Sequence, residues 1–288
     1  MGADDCFALI AEWVTLLGAN DLGAATIRQY TYALYRLADS TGFRVHLLEM
    51  TEGHIALFLA SLGDKASSKE HYAKGIRSFY DWAVHRGYLL TSPVGLIRPR
   101  KVHRAPPERF EIDELVRLLI AAAWRDPRRG WAILSSLALG TRRSEFVGIR
   151  CRDIDWERRV VVLRCTKGRR PREVDIGPWA AEALGELFKL SAGDRLLPIA
   201  PNTFTMWVHE AAKDCGFPPG RKQRSHTLRS TFASMLADDN VPIQVVSRLL
   251  GHQSVSTTTA YLSIGRRHDT REAVQVMGGA IAFSAEGV

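Results

Sequence analysis

Between residues 226 and 261 the chain carries His226, Arg229, Gly251, His252 and Tyr261, and an earlier segment, LALGTRRSEFVGI, adds Arg142 after an apolar run. These residue types suit chemistry on a phosphodiester. Such an ester is anionic and repels nucleophiles, so catalysis without a metal requires donors that neutralise its nonbridging oxygens as charge builds in the transition state. Two arginines serve this well, because each presents a planar fork of donors that a lysine cannot reproduce. His226 and Arg229 stand three apart, which on a helix puts them on one face within reach of the same phosphate. In LLGHQSVSTTTAYL, Gly251 marks a helix end and Ser256 a helix start, so a turn presents His252 near Tyr261.

In order and spacing these segments resemble the tyrosine recombinases, the phage integrases and Xer-type enzymes. The family's first arginine box, approximately T-G-x-R-x-S-E, is matched by Leu139, Gly140, Thr141, Arg142, Arg143, Ser144 and Glu145, with Arg142 and Glu145 in register. Its hairpin lysine matches Lys167 in RCTKGRRPREVDI. Its H-x-x-R matches His226 and Arg229, its L-G-H matches Leu250 to His252, and its nucleophile matches Tyr261. Two departures stand out: Leu139 replaces the usual threonine before the glycine, and Ser230 follows Arg229 where many members carry a histidine. Neither removes a catalytic group. The resemblance also reaches the amino-terminal third, where ATIRQYTYALYRL and IRSFYDWAVHRGYLLTSPV look like the family's core-binding domain.

The resemblance implies a catalytic set of Arg142, Lys167, His226, Arg229, His252 and Tyr261. Tyr261 would attack phosphorus to give a 3′-phosphotyrosyl bond and a free 5′-hydroxyl. A phenol of pKa about 10 needs a proton acceptor or a strongly positive site near neutral pH, and His226 is the candidate base. Lys167, beside Gly168 at a hairpin tip, is the matching acid for the leaving oxygen, and His252 would hydrogen-bond the scissile phosphate. Exchange of one phosphodiester for another needs neither ATP nor a cofactor. Glu145 is expected to cap or pair with a basic neighbour. The carboxylates Asp153, Asp155 and Glu157 read as a turn into the hairpin rather than as a two-metal site.

The elements that must position these groups follow from periodicity. Helical patterns over about 5–17, 24–39, 52–61 and 67–86 form an amino-terminal domain, 1–92, with Phe79, Tyr80 and Trp82 in its core. The basic, proline-rich stretch 93–109 reads as an extended linker. A catalytic domain, 110–288, follows: helices IDELVRLLIAAAW and RRGWAILSSLALG, a β-hairpin of VVVLRC and REVDI, then helices PWAAEALGELFKL, NTFTMWVHEAAKDCG with Asn202 as cap and Gly216 as stop, LRSTFASMLADD and PIQVVSRLLG. One more helix is expected over Asp269 to Met277, in a tail able to pack in cis or in trans. The fold class is thus mainly α with a small β-sheet, a helical core-binding domain joined to a mixed α+β catalytic domain. The resemblance implies that the two form a C-shaped clamp on DNA.

Composition agrees with a nucleic-acid partner. The 288 residues carry a formal charge of +8, and 46% of them are hydrophobic, ample for packed cores. Basic residues crowd the linker, the hairpin and the stretch before His226; Arg100, Lys101 and Arg104, with Arg221, Lys222 and Arg224, are the expected phosphate contacts. Four cysteines without C-x-x-C spacing suggest reduced thiols, and neither a signal peptide nor a membrane span is visible, so the expected location is cytoplasmic. The implied function is site-specific recombination through a Holliday junction by a homotetramer on double-stranded DNA sites, for phage or mobile-element integration and excision. A directionality factor is a further candidate partner. Xer-like dimer resolution, a type IB topoisomerase and a noncatalytic DNA-binding relative remain alternatives.

Overall fold

The computed structural model describes residues 3–63, 66–95, 97, 108–164, 171–219 and 224–251. The chain divides into two compact units, Met1–Arg104 and Ala105–Val288. Most of the basic stretch expected to act as a linker lies outside the described residues.

The first unit is helical: α1 (Ala3–Ala19), α2 (Ala24–Ser40), a short 3-10 turn (Leu47–Glu49), α3 (Glu52–Ser61) and α4 (Ala66–His85). The apolar positions of α2 recur at helical spacing, and Leu34, Leu37 and Ala38 are buried against α4. Phe79, Tyr80 and Trp82 belong to this core, with Phe79 edge-on to the buried Trp13 at 5.6 Å between ring centroids. The Tyr80 hydroxyl donates to the Leu47 carbonyl at 2.7 Å, which satisfies the only polar atom that ring brings into the core.

The second unit begins with α5 (Ile112–Arg125) and α6 (Pro127–Ala138). Asp126 caps α6 by accepting from the Arg128 amide at 2.9 Å, and Pro127 occupies the first helical position, where no amide is needed. Gly130 allows close packing, since a Cβ there would stand 2.8 Å from the Ala123 Cβ of α5. Ile133, Leu134 and Leu137 are fully buried, each worth about 1.5–3 kcal/mol. Helix α6 is therefore a fixed platform, and the arginine box leaves its end.

The box continues into a short helix, α7 (Arg143–Val147), that periodicity did not reveal. A three-stranded antiparallel sheet follows in the order β1 (Ile154–Asp155), β2 (Val160–Leu163), β3 (Arg172–Asp175). Strands β2 and β3 are those expected; β1, two residues long, adds an edge through Ile154 opposite Val161. The neighbouring carboxylates are structural: Asp153 is buried and pairs with Arg164 at 2.5 Å, and Asp155 accepts from the Arg158 amide at 2.8 Å.

Helices α8 (Pro178–Lys189), α9 (Pro201–Asp214), α10 (Ser225–Asp238) and α11 (Ile243–Leu250) complete the described part. Asn202 is not the cap of α9. Pro201 takes the first helical position and Ala200 becomes the flanking residue, because proline's fixed φ starts the helix two residues earlier than a cap at Asn202 would. Gly216, just past α9, adopts φ +70° as expected for a helix stop. Helix α10 is held at two points: Phe110 N donates to Thr231 Oγ1 at 2.9 Å, and buried Asp238 pairs with Arg109 at 2.5 Å. Among the described residues no helix is long and apolar enough to cross a membrane.

Candidate active site

Three arginines from three elements converge on one carboxylate. Arg142 lies between α6 and α7, Arg172 opens β3, and Arg229 sits one turn into α10. Glu145 is fully buried at their centre. Its Oε1 is 2.5 Å from Arg142 Nη1, its Oε2 is 3.1 Å from Arg172 Nη2, and the same oxygen is 3.7 Å from Arg229 Nη1. Glu145 also accepts from the Arg142 amide at 2.9 Å, so it caps α7 and pairs with basic neighbours at once. Burial alone would raise its pKa. The hydrogen bond from the Arg142 amide and the charges of Arg172 and Arg142 outweigh burial and hold the carboxyl below the ordinary glutamate value.

Two left-handed glycines turn backbone carbonyls toward these guanidiniums. Gly140, at φ +57° after α6, accepts from Arg229 Nη1 at 3.0 Å. Gly251, at φ +62° after α11, accepts from Arg142 Nη2 at 3.2 Å. The last carbonyls of α11 are in fact shared out among the three arginines: Leu249 O to Arg172, Leu250 O to Arg229 and Gly251 O to Arg142. A helix carboxyl end has carbonyls with no partner of their own and a partial negative charge, which arginine donors satisfy well.

Charge then decides what the pocket can take. Three guanidiniums against one carboxylate leave an excess of two positive charges in these four groups, largely removed from water. Such an arrangement suits an anion with several acceptor oxygens. Arg229 is only 1% exposed, so its orientation is fixed by the protein, whereas the Arg142 side chain is 25% exposed and retains open surface. His226 lies one turn before Arg229 on α10 with an exposed edge.

Burial, then the like charges of Arg229 and Arg142, lower the His226 pKa from its ordinary value. The imidazole is therefore neutral at neutral pH and able to accept a proton. The unfolded chain takes up that proton first as pH falls through about 6.5, so the folded state loses stability from that point down to the depressed folded value. An NMR titration of the His226 ring is expected to give a midpoint below 6.5, and a midpoint at or above it would contradict this electrostatic account.

Gly140 yields a second expectation. A Cβ there would stand 2.3 Å from Phe232 Cδ1 at a φ that L side chains avoid. Gly140→Ala should cost about 2–5 kcal/mol, from left-handed backbone strain plus overpacking. Urea unfolding would measure it; a loss under 1 kcal/mol would mean that the turn is compliant.

Of the residues expected from the sequence, the structure brings Arg142 and Arg229 together and places His226 beside them. Arg224 is exposed at the amino-terminal cap of α10. Lys167, His252, Tyr261, Arg100, Lys101, Arg104, Arg221 and Lys222 lie outside the described residues, as do Ser256 and the helix expected over Asp269 to Met277. Arg172 was missed. In sequence it is one basic residue in a run of them, and the only cue was its position opposite Leu163 at the start of an alternating strand.

Residues 108–268 match the sequence model of the phage integrase family. Tyrosine recombinase XerC of Thermodesulfovibrio yellowstonii is 30% identical over 228 residues, covering 71% of this chain and 74% of the relative. Tyrosine recombinase XerA of Thermococcus onnurineus is 25% identical over 271 residues, covering 90% and 92%. The fold resembles that of lambda integrase, solved as a tetramer bound to a Holliday junction, with TM-score 0.77 at 19% identity over 92% of this chain and 79% of that one. With a match to the family along more than half its length, laid over arginines gathered around Glu145, the chain belongs to the phage integrase family, the tyrosine recombinases.

Proposed function

We propose that the protein is a site-specific DNA recombinase that cuts and rejoins strands through a covalent 3′-phosphotyrosyl intermediate and a Holliday junction. The observation that carries this reading is the buried excess of positive charge formed by Arg142, Arg172 and Arg229 around Glu145. A scissile phosphate placed there would meet the open face of Arg142 and donors of Arg229 as negative charge grows on its oxygens. Neutral His226 accepts the phenolic proton of Tyr261 as its oxygen bonds to phosphorus. Lys167 protonates the departing 5′-oxygen, and His252 donates to a nonbridging oxygen. The new phosphotyrosyl ester retains the energy of the broken phosphodiester, so religation reverses the same steps without ATP.

Phosphate contacts from Arg100, Lys101, Arg104, Arg221, Lys222 and Arg224 supply salt-dependent affinity. Assembly is as a homotetramer on two sites. The role we assign is integration and excision of a phage or mobile element. Dimer resolution is the second reading, favoured by the match to XerA along 90% of this chain and 92% of the relative.

Binding selection from a random-sequence DNA pool would identify a site for the full chain, and that site would then be built into a nicked suicide duplex. A protein–DNA adduct on a denaturing gel, mapped to Tyr261, is the expected result. Tight binding with no adduct would overturn the enzymatic reading in favour of a noncatalytic DNA-binding protein. Relaxation of supercoils with no exchange between sites would favour a topoisomerase. Exchange between two unlike sites supports integration, and exchange only between identical copies supports resolution.

A further inference from the structure

Arg172 links the three parts of the pocket. From the first residue of β3 it donates through Nη2 to Glu145 Oε2 at 3.1 Å and through Nη1 to the Leu249 carbonyl near the end of α11. Its stem lies against Gly251, where an added Cβ would stand 2.8 Å from both its Cδ and its Nε. The strand it opens is reached from Lys167 in five residues, and the turn it touches leads directly to His252. Both terminal nitrogens are engaged within the protein, as are those of Arg142, but the Arg172 side chain is 16% exposed where that of Arg142 is 25% exposed and keeps more open surface. Burial pulls its pKa below the usual arginine value and Glu145 opposes that shift, so the guanidinium is held at an energetic cost.

The benefit lies in how Glu145 is shared. Oε2 faces both Arg172, at 3.1 Å, and Arg229, at 3.7 Å. With Arg172 removed, that oxygen would keep the Arg142 amide at 2.9 Å and turn to Arg229 for its charge, pulling the Arg229 Nη1 away from Gly140 O and toward the carboxylate. Arg142 would also face a more strongly attracting Glu145. At the same time Leu249 O would lose its donor, and the last turn of α11 would lose one of its three arginine contacts.

We infer that Arg172 is a positioning residue for strand cleavage: it occupies Glu145 Oε2 and the Leu249 carbonyl, leaving Arg142 and Arg229 aimed at the phosphate and the α11 turn set for the residues that follow. The inference rests on the recombinase reading above. It also accounts for the need for glycine at 251, since a side chain there would displace the Arg172 stem in addition to straining a left-handed φ.

The test uses full-length Arg172→Ala and Arg172→Lys on the nicked suicide duplex carrying the selected site, with DNA affinity, single-turnover cleavage at saturating DNA and urea unfolding measured together. The expected result for Arg172→Ala is affinity within about threefold of wild type and cleavage slowed by about 10- to 100-fold, as for a misplaced reacting group. Arg172→Lys should recover only part of the rate, because an ammonium cannot span Glu145 and Leu249 O as the fork does. A duplex with sulfur replacing the 5′-bridging oxygen supplies a leaving group that needs no acid. The Arg172→Ala defect should persist on it, since the loss is on the phosphate side; rescue by sulfur would assign Arg172 to the hairpin lysine instead and overturn the inference. So would wild-type cleavage by both variants, or a rate loss that merely tracks the unfolded fraction. If Arg172→Ala does not fold, Arg172→Lys carries the same comparison. No cleavage by wild type on the selected site fails the recombinase reading itself, whereas wild-type cleavage with unaffected variants fails only the role of Arg172.

Discussion

Arg229→Ala is expected to slow strand cleavage by about two to three orders of magnitude and to weaken the fold in the same stroke. The side chain is 1% exposed, donates to the carbonyls of Gly140 and Leu250, and faces Glu145. Truncation removes those donors from two backbone acceptors and opens a cavity between α10, α7 and the end of α11. Glu145 stays paired with Arg142 and Arg172, and the loss of one positive charge relieves some repulsion, so the cost should fall at about 2–5 kcal/mol rather than higher. For a unit of this size a loss of 3 kcal/mol lowers the melting temperature by about 6–12 °C. Loss of a preorganised donor to the transition state slows cleavage by roughly 100- to 1,000-fold. Thermal unfolding and single-turnover cleavage on the suicide duplex measure the two effects. Arg229→Lys separates them: it keeps the charge but not the fork, so most of the stability should return while cleavage stays low. Cleavage by Arg229→Ala at the wild-type rate would remove this arginine from the mechanism.

Tyr261→Phe should lose the chemistry and keep the fold. Removal of the phenolic oxygen takes away the atom that bonds to phosphorus and leaves ring volume unchanged. No covalent adduct should form on the suicide duplex at any enzyme concentration, while DNA affinity stays within about twofold and urea unfolding shifts by less than about 0.5 kcal/mol. Because a serine or water can substitute only poorly for a positioned tyrosine, residual cleavage should yield no 3′-linked protein. An adduct that persists in Tyr261→Phe would place the nucleophile elsewhere. Read together, the two variants distinguish a residue that does chemistry alone from one whose donors also hold two helix ends in place.

Helix limits were readable because amphipathic spacing and stop signals are local properties. The apolar positions of α2 and α5, and the left-handed Gly216 and Gly251, depend on backbone preference and on one face meeting a core, both written in short windows of residues. Arg142, His226 and Arg229 were legible for a different reason, since their order along the chain matches a family pattern. Asn202 misled because a side chain able to cap lost to Pro201, whose ring had already set the helix start.

What only the tertiary structure decided is how the guanidiniums are held. Arg172 is one of several basic residues around the hairpin, and nothing in its neighbours distinguishes it from a solvated charge. Its partner Glu145 lies 27 positions earlier and Leu249 lies 77 later. Strand pairing and the packing of α10 on α6 and α11 bring these distant groups within hydrogen-bond reach. The acceptors at the end of α11 are backbone carbonyls, which every residue has, so the sequence carries no mark of them. Residue identity determined which chemistry was available to this chain. The three-dimensional path of the backbone determined that three arginines share one carboxylate and one helix end, and so which way their charge points.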